Sequence, residues 1–122
     1  MKFYRCKHCG QIIEKVKDTN VPIICCGEAM YELVPGVEDA SHEKHVPVYK
    51  VENNFVNVNV GSVDHPMIDV HYIEWICIVT NFGIQRKELK PGDEPNVTFS
   101  LLEGEKVEEV YAYCNLHGLW KI

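Results

Sequence analysis

The sequence has no apolar run approaching the ~20 residues of a membrane-spanning helix. Its opening Met-Lys-Phe-Tyr-Arg-Cys lacks the apolar stretch of a secretory signal. From these absences we expect a soluble, cytoplasmic protein. Positive charge is also short: 18 Asp and Glu stand against 12 Lys and Arg, a formal net charge of -6. That balance excludes nucleic acid and anionic membranes, which demand a basic face, and leaves small molecules or proteins as partners. No segment carries a 3.6-residue apolar stripe, and there are no internal repeats or low-complexity tracts. With 122 residues, a chain that divides must contain a part too small to be held by burial alone, and that part needs a staple.

Cysteine is what the sequence has in excess. Six cysteines without an export signal point to metal ligation rather than disulfides, because the cytosol keeps thiols reduced. Cys6 and Cys9 form a C-x2-C knuckle, and Cys25 with Cys26 completes the spacing of a tetrathiolate site. A disulfide between adjacent residues is disfavoured, since their Cα atoms lie about 3.8 Å apart and an unstrained bridge needs at least ~4.4 Å. Zinc and iron both accept four sulfurs, so the spacing leaves a structural zinc knuckle and an iron centre open. His8, inside the knuckle, reads as a solvated loop residue.

Residues 32–41 mix Pro, Gly and acids without periodicity and read as a linker between a front module, 1–36, and a back module, 37–122. The front carries five Lys or Arg against four acids and the back seven against fourteen, so the acidity belongs to the back. There Val56, Val58 and Val60 alternate with Phe55, Asn57 and Asn59, the period of a half-buried strand. Tyr72 to Thr80 reads as a second strand, with Ile73, Trp75, Cys77 and Val79 facing the core on the same side as His71. Val97, Phe99 and Leu101 repeat the pattern. Glu103–Lys106 predicts a hairpin turn into a strand over Val107–Cys114, and Pro91–Pro95 another turn. Such short strands favour an all-β class, an immunoglobulin-like antiparallel β-sandwich over a barrel.

Five of the six histidines fall in the back module. Three stretches flanking expected strands look like ligand donors: Glu43-Lys44-His45-Val46-Pro47, His65-Pro66-Met67 through His71-Tyr72, and Cys114-Asn115-Leu116-His117-Gly118. A lone His beside a turn is ordinarily a surface residue; together, the three stretches supply four imidazoles and a thiolate. Five ligands are too many for tetrahedral zinc and leave a six-coordinate metal one open position, where chemistry can occur. His42 reads as a neighbour of the site and Cys77 as a buried small apolar residue. Asn96-Val97-Thr98 matches a glycosylation acceptor that a cytoplasmic protein would not use.

In these motifs the whole chain resembles the desulfoferrodoxin family, the two-iron class of superoxide reductases, and residues 1–36 resemble desulforedoxin. The resemblance implies a small rubredoxin-like module with an Fe(Cys)4 centre on Cys6, Cys9, Cys25 and Cys26, followed by an immunoglobulin-like catalytic domain. In the latter, ferrous iron is expected with His45, His65, His71 and His117 around its equator and Cys114 axial. It implies one-electron reduction of superoxide to hydrogen peroxide, with Glu43 able to occupy the sixth position of the oxidised iron and Lys44 attracting the anion and organising water for protonation. A rubredoxin-like electron donor and a homodimer are implied as well. The rival readings are a non-enzymatic electron carrier or redox sensor, and an interaction module held by two structural zinc ions.

Overall fold

Short β-forming runs, cut by Gly, Pro and Asn, give a chain of twelve strands and one four-residue helix. The computed structural model describes residues 1–122 and divides into two units, Met1–Val34 and Pro35–Ile122. The first contains β1 (Phe3–Arg5), β2 (Ile12–Glu14), β3 (Ile24–Cys25), β4 (Glu28–Ala29) and β5 (Tyr31–Glu32). β1 lies between β2 and β5, and β3 and β4 form a hairpin. Its buried apolar residues are Phe3, Cys6, Met30 and Leu33. So small a core needs a cross-link or a metal to hold it.

The second unit contains α1 (His42–His45), β6 (Pro47–Glu52), β7 (Phe55–Val60), β8 (Ile73–Thr80), β9 (Gly83–Glu88), β10 (Asn96–Ser100), β11 (Val107–Cys114) and β12 (Gly118–Lys121). Two antiparallel sheets, ordered β10-β7-β6 and β12-β11-β8-β9, enclose one core. The first contributes Val56, Val58, Val60 and Phe99; the second contributes Ile73, Ile76, Ile78, Val110, Ala112 and Cys114. The all-β expectation therefore holds, and the valine alternation along β7 faces as expected.

β8 departs from the expected pattern. Ile73 faces the core, but Ile76 and Ile78 follow it there, whereas Trp75 and Cys77 turn to the opposite face, where Trp75 stacks on Tyr113 at 5.6 Å. The cause is a register shift: Tyr113 pairs with Trp75 and Cys114 with Ile73, leaving Glu74 as an extra residue. One inserted residue exchanges the two faces of everything beyond it. Because Trp75, Ile76, Cys77 and Ile78 are all buried, the apolar run is nearly continuous and alternation could not tell the faces apart. β6 and β9 are exposed edge strands carrying Lys50, Glu52, Arg86, Lys87 and Glu88. Charges of this kind protect an edge from pairing and blur the strand signal in the sequence.

Candidate metal centres

In the first unit, the knuckle is formed by backbone bonds from Gly10 N–H to Cys6 O and from Cys6 N–H to Gln11 O, both 2.9 Å. The second thiol pair sits on the β3–β4 turn, where Cys26 and Gly27 have φ of 53° and 76°, as a two-residue type I′ hairpin requires. Cys6, Cys9, Cys25 and Cys26 thereby bring four Sγ atoms within 4.8 Å of one another, with Cys9 and Cys25 3.6 Å apart. The Cys9 backbone N–H helps draw the Cys6 thiol down to about 6, while bonding to Cys9 and Cys6 pushes Cys25 up to about 12. Four thiolates can share this space only around a cation, so the donor set fits a metal ion. His8 lies outside it, 3.7 Å from Glu28.

In the second unit, His45 ends α1, His65 and His71 stand on the loop between β7 and β8, Cys114 ends β11, and His117 lies in the turn to β12. Two backbone carbonyls orient the first two rings: His45 Nδ1 donates to Ser41 O and His65 Nδ1 to Pro66 O, both at 2.7 Å. Each ring then has its proton on Nδ1 and a lone pair on Nε2. These two Nε2 atoms are 3.1 Å apart, and His117 Nδ1 is 3.1 Å from His45 Nε2. Cys114 Sγ lies 3.8 Å from His117 Nδ1, and buried His71 Nε2 has no hydrogen-bond partner. Facing lone pairs repel unless a cation stands between them. Together with the unpartnered His71 nitrogen, they fit a metal ion held by four imidazoles and one thiolate.

Electrostatics favour the same state. Desolvation depresses His45 and His71 and takes His65 down to about 4, so the rings stay neutral and able to ligate at pH 7. Burial raises the Cys114 thiol, which therefore keeps its proton until a bound metal displaces it. Glu43 and Lys44 are exposed on α1, and the Lys44 charge contributes to the depression of His45 and His71. His42 is exposed and meets the edge of Trp120 at 5.3 Å, outside the donor group.

Family models match both units: the desulfoferrodoxin N-terminal domain over residues 1–33 and desulfoferrodoxin over residues 37–122. The chain belongs to the desulfoferrodoxin family. A desulfoferrodoxin homolog from Archaeoglobus fulgidus is 46% identical over 121 residues, covering 99% of this chain and 95% of that protein. Desulfoferrodoxin from Nitratidesulfovibrio vulgaris is 44% identical, covering 98% and 94%. Among solved structures, superoxide reductase from Treponema pallidum superposes with a TM-score of 0.84 at 39% identity, covering 99% of this chain and 97% of that one. A superoxide reductase (1Fe-SOR) from Giardia intestinalis aligns with 66% of this chain and 95% of its own at a TM-score of 0.56 and 33% identity. The two donor clusters match the two iron centres of the desulfoferrodoxin family.

Two further residues support the second cluster without being donors. Trp120 donates its Nε1–H to His117 O at 3.0 Å, and its ring lies 5.0 Å from that of His45. At Gly61, an added Cβ would lie 2.6 Å from Glu43 O and 2.8 Å from Val46 O. Ser62 and Val63 follow immediately, and both donate to Glu43 O, at 3.2 and 2.9 Å. Trp120 could have been suspected from its place three residues after His117. Gly61 leaves no such signal, because its role depends on a segment eighteen residues earlier.

Proposed function

We propose that this protein is a superoxide reductase whose reaction takes place at the second cluster. His45, His65, His71, His117 and Cys114 hold the catalytic iron; Cys6, Cys9, Cys25 and Cys26 hold the other. We assign residues 1–36 to the desulforedoxin-like module and 37–122 to the catalytic sandwich. The observation carrying this reading is the 3.1 Å convergence of imidazole nitrogens beside a buried thiol. The Giardia reductase supports the second unit as the active one, since it aligns with 66% of this chain, more than the first unit, Met1–Val34, can supply.

Superoxide, one electron and two protons give hydrogen peroxide, with no dioxygen formed. Bound ferrous iron supplies the electron. Desolvation keeps His45, His65 and His71 neutral, so these rings add no charge to the site. The Cys114 thiolate is the electron-rich donor of the set, as thiolates are in haem sites. Lys44 is exposed beside the ligand His45, in a module with seven Lys or Arg against fourteen acids. It attracts the anion into an otherwise unfavourable field and orders water for proton delivery. Glu43, on the same exposed turn, would be the carboxylate available to bound iron between turnovers. A rubredoxin-like carrier restores the electron, and the protein works as a cytoplasmic homodimer.

The test is rapid mixing of iron-loaded, reduced protein with superoxide. We expect one peroxide per superoxide and no dioxygen, whereas dioxygen at half the superoxide consumed means dismutation and overturns the reading. Rim charges act on association and are screened over a Debye length of about 10 Å at 0.1 M salt. The wild-type rate constant should therefore fall with salt, and Lys44→Ala should be slower and flatter in its salt dependence. Equal rates and slopes remove Lys44 from steering.

A further inference from the structure

The second cluster draws its donors from separate stretches, and two of them meet beside a residue with no role so far. The β8–β11 ladder ends at the Ile73–Cys114 pair. Beyond it, Asn115 continues the pairing with its backbone and its side chain. Its N–H donates to Tyr72 O at 3.1 Å, its Oδ1 accepts from Tyr72 N–H at 2.9 Å, and its Nδ2 donates to Val70 O at 3.1 Å. One residue, next to Cys114 and two before His117, thus grips both neighbours of His71. His71 otherwise meets the rings of His45, His65 and His117. Its backbone makes an isolated bridge to Ile68, and its buried Nε2 has no protein partner.

We propose that Asn115 is a positioning residue of this metal centre: its amide locks the Cys114–His117 turn to the segment carrying His71, setting the spacing between thiolate and imidazole. The assignment rests on the reading of these donors as a metal site. The chemistry specifies an amide, because a single planar group must present both an acceptor and a donor. Ionised Asp offers only acceptors, and Ala neither.

The molecule contains its own control. Asn81 makes the same three bonds: its N–H to Lys106 O at 3.2 Å, Lys106 N–H to its Oδ1 at 2.7 Å, and its Nδ2 to Gly104 O at 3.0 Å. It follows the far end of β8, roughly 26 Å along an eight-residue strand from Ile73, away from the second unit's donor cluster. Removing either amide deletes the same bonds from the same fold, but only one of them touches the ligand segments.

The experiment compares iron-loaded wild type, Asn115→Ala, Asn115→Asp and Asn81→Ala in the full chain. Three readouts are taken: loss of the second-unit iron to a chelator, the thiolate-to-iron charge-transfer band of the oxidised protein, and the melting temperature. The first-unit centre serves as internal reference. Both Asn115 variants should lose iron about tenfold faster or more, the scale on which partners of metal ligands act, and should shift the band. Asn81→Ala should melt lower while keeping wild-type band and loss rate. If Asn115→Ala fails to fold, Asn115→Asp, which keeps the acceptor but replaces the donor with a charged carboxylate oxygen, carries the comparison. A wild-type band and loss rate in the folded Asn115 variants, or the same changes in Asn81→Ala, overturns the positioning role. Wild type that loads no iron in the second unit overturns the metal reading itself.

Discussion

A methyl group at position 61 has nowhere to go. Its Cβ would stand 2.6 and 2.8 Å from two backbone oxygens of the segment that carries Glu43, Lys44 and His45. Neither oxygen is the end of a flexible side chain, so the segment itself must move, and His45 with it. We expect Gly61→Ala to cost about 1–3 kcal/mol, as overpacking does. It should also weaken metal retention in the second unit while leaving the tetrathiolate centre at full occupancy. Metal content and the two absorption signatures check this; a variant with both centres full and unchanged stability would show that the segment yields without cost.

Among the elements, β11 and β12 share a polar cluster on a largely apolar pairing. Tyr111 pairs with Lys121, its hydroxyl donates to Glu109, and Lys121 Nζ lies 3.1 Å from the same carboxylate. The Tyr111 hydroxyl bond, followed by the Lys121 contact, holds Glu109 below its ordinary pKa. A carboxyl with a depressed folded pKa contributes stability above its unfolded value, ~4.3, and that contribution is lost as pH falls through the folded value. Tyr111→Phe should therefore cost about 1 kcal/mol at pH 7, with the difference from wild type shrinking below pH 4. Both tryptophans, Trp75 and Trp120, lie in the second unit, so tryptophan fluorescence during unfolding reads that unit alone. A gap that stays constant from pH 7 to pH 3.5 would remove Glu109 from the account.

For the whole molecule, two complete donor sets on two units imply two metals that can be removed one at a time. The first unit has little core beyond Phe3, Met30 and Leu33 around Cys6, so its metal acts as its staple. Cys9→Ser should abolish the tetrathiolate centre and loosen residues 1–34. The second-unit iron should be retained, with its superoxide rate within about twofold of wild type, since the two donor sets share no residue. Metal analysis should fall from two irons per chain to one. A superoxide rate that collapses while the second iron is still bound would show that the front centre takes part in the reaction.

The sequence alone determined what depends on neighbours along the chain. Cys6-x2-Cys9 and Cys25-Cys26 are local patterns, and two such knuckles need only a hairpin to meet. The alternation along Phe55–Val60 states which side is apolar, and all-β follows from several such runs. The family was legible because its motifs are short and contiguous. Tertiary structure decided what depends on segments far apart. His45 and His117 are 72 residues apart in sequence, yet their ring nitrogens lie 3.1 Å from one another; no local spacing encodes that approach. The faces of β8 were set by one extra residue, Glu74, in its pairing with β11, and a bulge depends on the partner strand as much as on its own. The tautomers of His45 and His65, the grip of Asn115 and the necessity of glycine at 61 likewise depend on backbone atoms of other segments, whose positions exist only once the chain has folded.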